Sequence, residues 1–409
     1  MTAHSFQNNH IPCINIRFKW KGMKQMDTKK FRTRQEIRRI NNPKSKRDFI
    51  IGIDVGYSGT KVFHENGYLV FPSYAKKIEN GMLNVPDEMD IMYRDEETGD
   101  VYMVGRNAQE MMETTDTNDT DGELFSRKRY SDKRFRIVCN TAVAMALGEA
   151  GDKRAKDCRK VVIQTGLPSS YVTGDTPAVK KAFANNMRFS LKTGNGPWKT
   201  YEPSIREEDV YVMPQPAGAL YSVLIKNDGV YTNDAMAMLS SNVLVMDAGF
   251  GTFDFYGIKN RTIVCRESVD QMGMREVLKQ TSKKILSDLN EDIRVAALQK
   301  NLESGTVVCI DEEKMESGEK PIAPYLESAS GDVFKEAMAK AKSVTDTFRG
   351  YNYVIVDGGT GEAWYEDIRQ WLSKMKTLKV MPSNFNDHLP MIYSNSRGYY
   401  MFRYVVNNE

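Results

Sequence analysis

Cysteine and histidine are scarce in this chain, and those present are scattered. The five cysteines, Cys13, Cys139, Cys158, Cys265 and Cys309, form no CxxC pair. That argues against a disulfide framework or a zinc site and suits a reducing compartment. The four histidines, His4, His10, His64 and His388, gather with nothing, so neither a Ser-His-Asp triad nor an HExxH metal site is in view. No apolar run approaches the roughly 18–20 residues of a membrane span. The N-terminus lacks an apolar stretch followed by a small-residue cleavage site. The expected location is therefore the cytoplasm, without membrane contact. The GxxxxGK[ST] phosphate loop is missing, and no GxGxxG follows the first apolar strand, which argues against a Rossmann dinucleotide site.

What is present is an ordinary globular composition, with 41% hydrophobic and 27% charged residues in 409 positions. That length suits two domains or a bilobal fold. The net charge of +3 hides an asymmetry. Residues 1–48 hold 13 Lys and Arg against 3 Asp and Glu, leaving 44 against 51 for the remainder. The basic stretch lacks apolar periodicity, and FRTRQEIRRI could form a short helix at best. Residues 1–47 are thus expected to be a flexible leader, or an electrostatic contact with DNA or an acidic neighbouring subunit.

Three apolar strands each run into a glycine-rich turn. Phe49–Phe63 places Asp54 at a strand end, then Gly56, Ser58, Gly59 and Thr60 in the turn, with Lys61 opening the next strand. Val243–Ile258 repeats the plan with Asp247, then Gly249, Phe250, Gly251 and Thr252, and a second strand carrying Asp254. Tyr353–Val356 leads into Asp357, Gly358, Gly359, Thr360 and Gly361 and then a helix, a place where free N–H groups and the helix dipole point into the turn. Glycines permit close backbone approach to phosphates. Two carboxylates flanking such loops suit Mg²⁺, which takes a few carboxylates, retained waters and phosphate oxygens. Lys61 would supply positive charge at the outer phosphates. The repeated hairpin implies two similar lobes facing across a cleft. Asp254, beyond its turn, is read as structural. Gln215, between the strand Asp209–Met213 and a helix from Ala217, is well placed to act at a sheet edge.

On these motifs the chain resembles the actin/sugar-kinase/heat-shock-chaperone ATPase superfamily. IGIDVGYSGTKV is similar to its first phosphate loop, VMDAGFGTFDF to its second and VIVDGGTGEAWYEDI to its adenosine motif. YMVGRNA, VVIQTGLPSSY, VYVMPQPAGAL and NSRGYYMF further resemble runs of the bacterial plasmid-segregation actins of the ParM/StbA kind. The resemblance implies an α/β, actin-like bilobal fold: two duplicated ribonuclease-H-like domains, with smaller inserted subdomains, around a nucleotide cleft. Domain I would cover 48–232 and return with 385–409. Domain II would cover 233–384, with a subdomain inserted at about 290–345. It also implies ATP (or GTP) with Mg²⁺ held through water by Asp54 and Asp247. The phosphates would lie on Lys61 and the backbones of 58–60 and 249–252, and the nucleoside on Gly358, Gly359 and Thr360. Gln215 would orient the attacking water. As a neutral amide it would position rather than accept a proton.

The implied function is a nucleotide-dependent, filament-forming ATPase that segregates plasmid DNA, partnered by itself and by a DNA-bound adaptor of the ParR type. Two alternatives share the fold. A sugar-type kinase needs a catalytic Asp on a substrate hydroxyl, and none stands out. A cell-shape or division actin is expected to carry an amphipathic membrane helix, for which the basic leader lacks an apolar face. The acidic run at 87–123 is assigned no role beyond solvated loops.

Overall fold

A computed structural model describes residues 27–79, 87–111, 126–148, 157–311 and 313–408. Two principal sheets share one plan. In the first lobe the order is Glu36–Arg39, Gly67–Pro72, Gly59–His64, Asp48–Val55, Lys160–Leu167, Val210–Pro214. In the second it is Thr262–Asp270, Thr252–Lys259, Val243–Ala248, Tyr353–Asp357, Lys379–Pro382. Setting aside the extra edge strand Glu36–Arg39, each is an antiparallel three-strand meander followed by two parallel strands reached by crossovers. The repeated hairpin motif is thus one piece of a repeated sheet.

The central strands explain their own composition. Asp48–Val55 is buried at every position, because helices cover both faces of its sheet. On one side Ile51, Ile53 and Val55 join the cluster under the helices Lys133–Leu147 and Val172–Phe183. On the other, Ile50 shares an apolar cluster with Val243, Val245 and Ile355 of the second sheet, to which the helices Gln215–Leu224 and Ser394–Asn408 contribute. Those two helices cross very closely: a Cβ on Gly398 would lie 1.8 Å from the Gly218 carbonyl oxygen. Arg397, fully buried, fixes the crossing. Its guanidinium donates to the carbonyls of Ser222 (2.8 Å) and Ile225 (2.9 Å) and pairs with Asp387 at 3.3 Å.

Each lobe carries an insert. In the first it is the sheet Lys199–Tyr201, Phe189–Thr193, Ile91–Asp95, Val101–Val104, Ala75–Lys77. In the second it comprises the helices Met274–Leu289 and Val295–Ser304, the hairpin Thr306–Asp311 with Glu316–Pro321, and the helix Ala323–Val344. The sequence pattern shows neither Phe189–Thr193 nor this hairpin. Phe189–Thr193 is only five residues long, and Glu316–Pro321 is exposed at every position and carries no branched aliphatic or aromatic side chain to mark it.

Residues 27–47 depart from the expected flexible leader. Thr28–Phe31 forms a 3-10 turn, and Glu36–Arg39 is a strand, not a short helix, because it pairs antiparallel with Gly67–Val70 at the sheet edge. Residues 1–26 and 112–125, and with them the first half of the leader and the 112–123 end of the acidic run, lie outside the described residues. Among the described residues no helix is long and apolar enough to cross a membrane.

Candidate functional site

The two hairpins end at one cleft. Their turns close alike, the Gly56 N–H donating to the Gly59 carbonyl at 3.1 Å and the Gly249 N–H to the Thr252 carbonyl at 3.0 Å. They also touch: a Cβ on Gly251 would fall 2.6 Å from the Tyr57 ring, so each turn packs on the other. The third turn closes the far wall. Gly358 has φ +86°, and a Cβ there would lie 2.3 Å from the Ala248 carbonyl oxygen and 2.6 Å from Asp247 Oδ1, which only glycine avoids. Thr360 donates its hydroxyl to the Gly249 carbonyl at 2.7 Å, tying this turn to the second. The cleft, which opens to solvent, spans about 990 Å³, at the upper end for a small-molecule site.

Of the sequence-predicted residues, Asp54, Gly56, Ser58, Gly59, Lys61, Gln215, Asp247, Gly249, Phe250, Gly251, Thr252, Gly358, Gly359 and Thr360 all line the cleft. The Thr60 side chain does not. It points to the opposite face of its strand from Lys61, is buried, and pairs its hydroxyl with Ser73 at 2.8 Å. Strand alternation sends only every second residue to the cleft, and Lys61 takes that place.

Asp54 is held from two sides. Lys61, its register partner, donates Nζ to Oδ2 at 3.1 Å, and Gln215, the first residue of its helix, donates Nε2 to Oδ1 at 2.9 Å. The second lobe is different. Asp254, Asp247 and Asp357 stand abreast on three neighbouring strands, paired in register, and all are buried. Burial and the adjoining carboxylates push Asp247 well above the ordinary carboxyl range. Burial pushes Asp357 up to about 7, against the opposing hydrogen bond from Ser383, and Asp254 up to about 6, against those from Ser268 and Thr252. Asn395 donates to Asp247 Oδ2 at 2.8 Å, and Asp357 Oδ2 is buried without a partner. This donor set fits a hard cation. Among the described residues no group of three His, Cys, Asp or Glu side chains is placed to hold a metal ion directly.

Several cleft residues escape sequence reasoning. Arg129 donates to the carbonyls of Val55 (2.6 Å) and Gly56 (3.2 Å) and stacks on Tyr57 at 4.0 Å, bracing the first turn from behind. In the sequence it is one cation of a basic run. Asp254 lines the cleft and also joins the lobes, accepting the Ser169 N–H at 3.0 Å. Asn395 opens the NSRGYYMF run, but nothing in that run marks it as a partner of Asp247. Lys30 to Arg34 form a wall that comes from the presumed leader.

Residues 52–218 match the family described as "Actin like proteins N terminal domain". No curated protein matches the chain. Among solved structures, a non-polymerisable quadruple mutant of pCBH ParM is 18% identical with a TM-score of 0.64, covering 87% of this chain and 99% of that one. A 15-stranded ParM filament from Clostridium botulinum is also 18% identical, with a TM-score of 0.62 and the same coverage. The archaeal actin homologue Ta0583 in complex with ADP is 18% identical with a TM-score of 0.54, again over 87% and 99%. With the domain match over 52–218, the duplicated sheets and the cleft between them taken together, this chain has an actin-like fold.

Proposed function

We propose that the protein is a filament-forming ATPase of the ParM kind, acting in the cytoplasm to segregate plasmid DNA with a DNA-bound adaptor of the ParR type. The observation that carries the nucleotide reading is the meeting of the two glycine turns, each beside a buried acid, with the Gln215 amide on Asp54. The triphosphate would lie between the turns, its oxygens against the backbones of 58–60 and 249–252 and on Lys61. Gly358 to Thr360 would meet the nucleoside. Asp54 and Asp247 would hold Mg²⁺ through water, and the ion would neutralise phosphate charge as it develops. Gln215, fixed by Asp54 through its amide nitrogen, would present its oxygen to the attacking water and orient it without taking the proton. Support for nucleotide binding also comes from the ADP complex of Ta0583, and support for assembly from the Clostridium botulinum filament.

Sedimentation and electron microscopy with Mg²⁺ and ATP, ADP or GTP test the reading. Polymer with ATP and little with ADP is the expected result. Polymer that ignores nucleotide, or none at all, overturns it. Phosphate release without any sugar acceptor separates it from a kinase of the same fold.

A further inference from the structure

The wall formed by Lys30 to Arg34 belongs to a segment that runs from one lobe to the other. It begins on the second lobe. There the Thr28 hydroxyl donates to the Leu302 carbonyl at 2.9 Å, and the Phe31 ring is buried in that lobe's apolar cluster. Arg32 reaches Glu303 at 2.5 Å, and the Thr33 N–H donates to Gln299 Oε1 at 3.0 Å. Arg32 also lies 3.5 Å from Glu110 of the first lobe's insert, so one guanidinium faces acids on both sides of the cleft. The segment then passes to the first lobe. Gln35 donates to the Met89 carbonyl and accepts the Arg106 N–H at 2.8 Å, Glu36 accepts the Tyr393 hydroxyl at 2.7 Å, and residues 36–39 complete the sheet edge. Between these anchors Thr33 lies over the first phosphate turn, where a Cβ on Gly59 would come within 3.2 Å of its methyl group. Lys30 and Arg34 are the cations that act on Glu362, in the first turn of the helix after the third glycine turn.

We propose that residues 28–36 are a strap across the cleft that must release the second lobe before a nucleotide enters or leaves. The inference rests on the nucleotide reading above. The end that lets go is decided by the anchors. On the first lobe the segment is held by four register pairs and the bonds of Gln35 and Glu36. On the second it is held by one aromatic ring and a few polar contacts, with no strand pairing. The strap therefore swings about Arg34 and Gln35 with its C-terminal half fixed. A gate of this kind changes the rates of entry and exit together and leaves the equilibrium nearly unmoved, because both states of the strap flank the same site.

The full chain is loaded with a fluorescent ATP analogue and Mg²⁺, and association and chase-driven dissociation are followed for wild type, Phe31→Ala and Arg32→Ala. Both variants are expected to speed association and dissociation at least about fivefold, with Kd within about threefold. Should Phe31→Ala fail to fold, Arg32→Ala carries the test, since its side chain keeps contact with solvent. Rates within twofold of a wild type that binds nucleotide overturn the strap alone. Weaker binding with an unchanged association rate also overturns it, because residues 30–34 would then be a binding wall and not a gate. A wild type that binds no nucleotide overturns the nucleotide reading, and the strap with it.

Discussion

Lys61 and Asp254 hold the same place in the two copies of the hairpin, each opposite the acid that ends the preceding strand, and they carry opposite charge. In the first lobe Asp54 has its counter-ion built in. In the second, Asp247 faces Asp254 on one side and Asp357 on the other, and Asn395 donates to its carboxylate. The duplicated plan thus leaves one wall neutralised and the other short of positive charge.

That imbalance predicts an unusual pH dependence for the cation-free protein. Asp254 and Asp357 are raised to about 6 and about 7, so between about pH 4 and pH 7 the folded protein holds protons that the unfolded chain has lost. Stability is therefore greatest on the acid side of this window and falls as pH rises through it. Urea unfolding in a chelator at pH 5 to 8 checks the sign, and Asp357→Asn should flatten the fall. Mg²⁺ should restore stability most at pH 8. A profile that is flat, or that rises with pH in wild type, removes these acids from the account.

Gln215 bonds Asp54 through its amide nitrogen, so its oxygen is aimed without help from substrate. Gln215→Ala is expected to lower kcat at least about tenfold while nucleotide affinity changes little, since a water-orienting group acts on the transition state. Phosphate release and nucleotide titration on the same preparation separate the two effects. A loss of affinity with kcat unchanged would place Gln215 among the binding groups instead.

The contact of Gly398 with Gly218 leaves no room for a methyl group. Gly398→Ala should destabilise by at least about 3 kcal/mol, because the clash is with backbone between two buried helices. Gly331→Ala, on a helix where a Cβ meets nothing within 4 Å, is the control and should be neutral or slightly stabilising. Denaturant midpoints for the pair decide whether the close crossing holds the lobes together.

The parts of the site legible in the sequence are those whose chemistry is local. An acid at a strand end followed by glycines announces itself, and Asp54, Asp247 and the three turns all reach the cleft. Residues placed by register or by distant packing are not announced. Asp357 sits in plain view before two glycines, but that it shares a face with Asp247 is a fact about strand pairing. Arg129 looks like a solvated cation until the helix that follows it sets it behind the first turn. The strand Glu36–Arg39 has no apolar alternation, and only the exposed edge of Gly67–Pro72 gives it a conformation. Residues 27–47 differ from the expected leader for that reason: polarity marks solvent exposure, and an edge strand is exposed while still paired.

The helix Ser394–Asn408 covers Asp48–Val55, with Asn407 bonded to Asp48 across 359 positions, and a Cβ on Gly52 would collide with the Ser396 carbonyl at 2.2 Å. During synthesis the first lobe's central strand is made early and its cover late. Its inner face stays open while the whole second lobe is translated. The first lobe is begun first and finished last, and a nascent chain stalled before residue 394 would present that bare strand to whatever holds unfinished proteins in the cell.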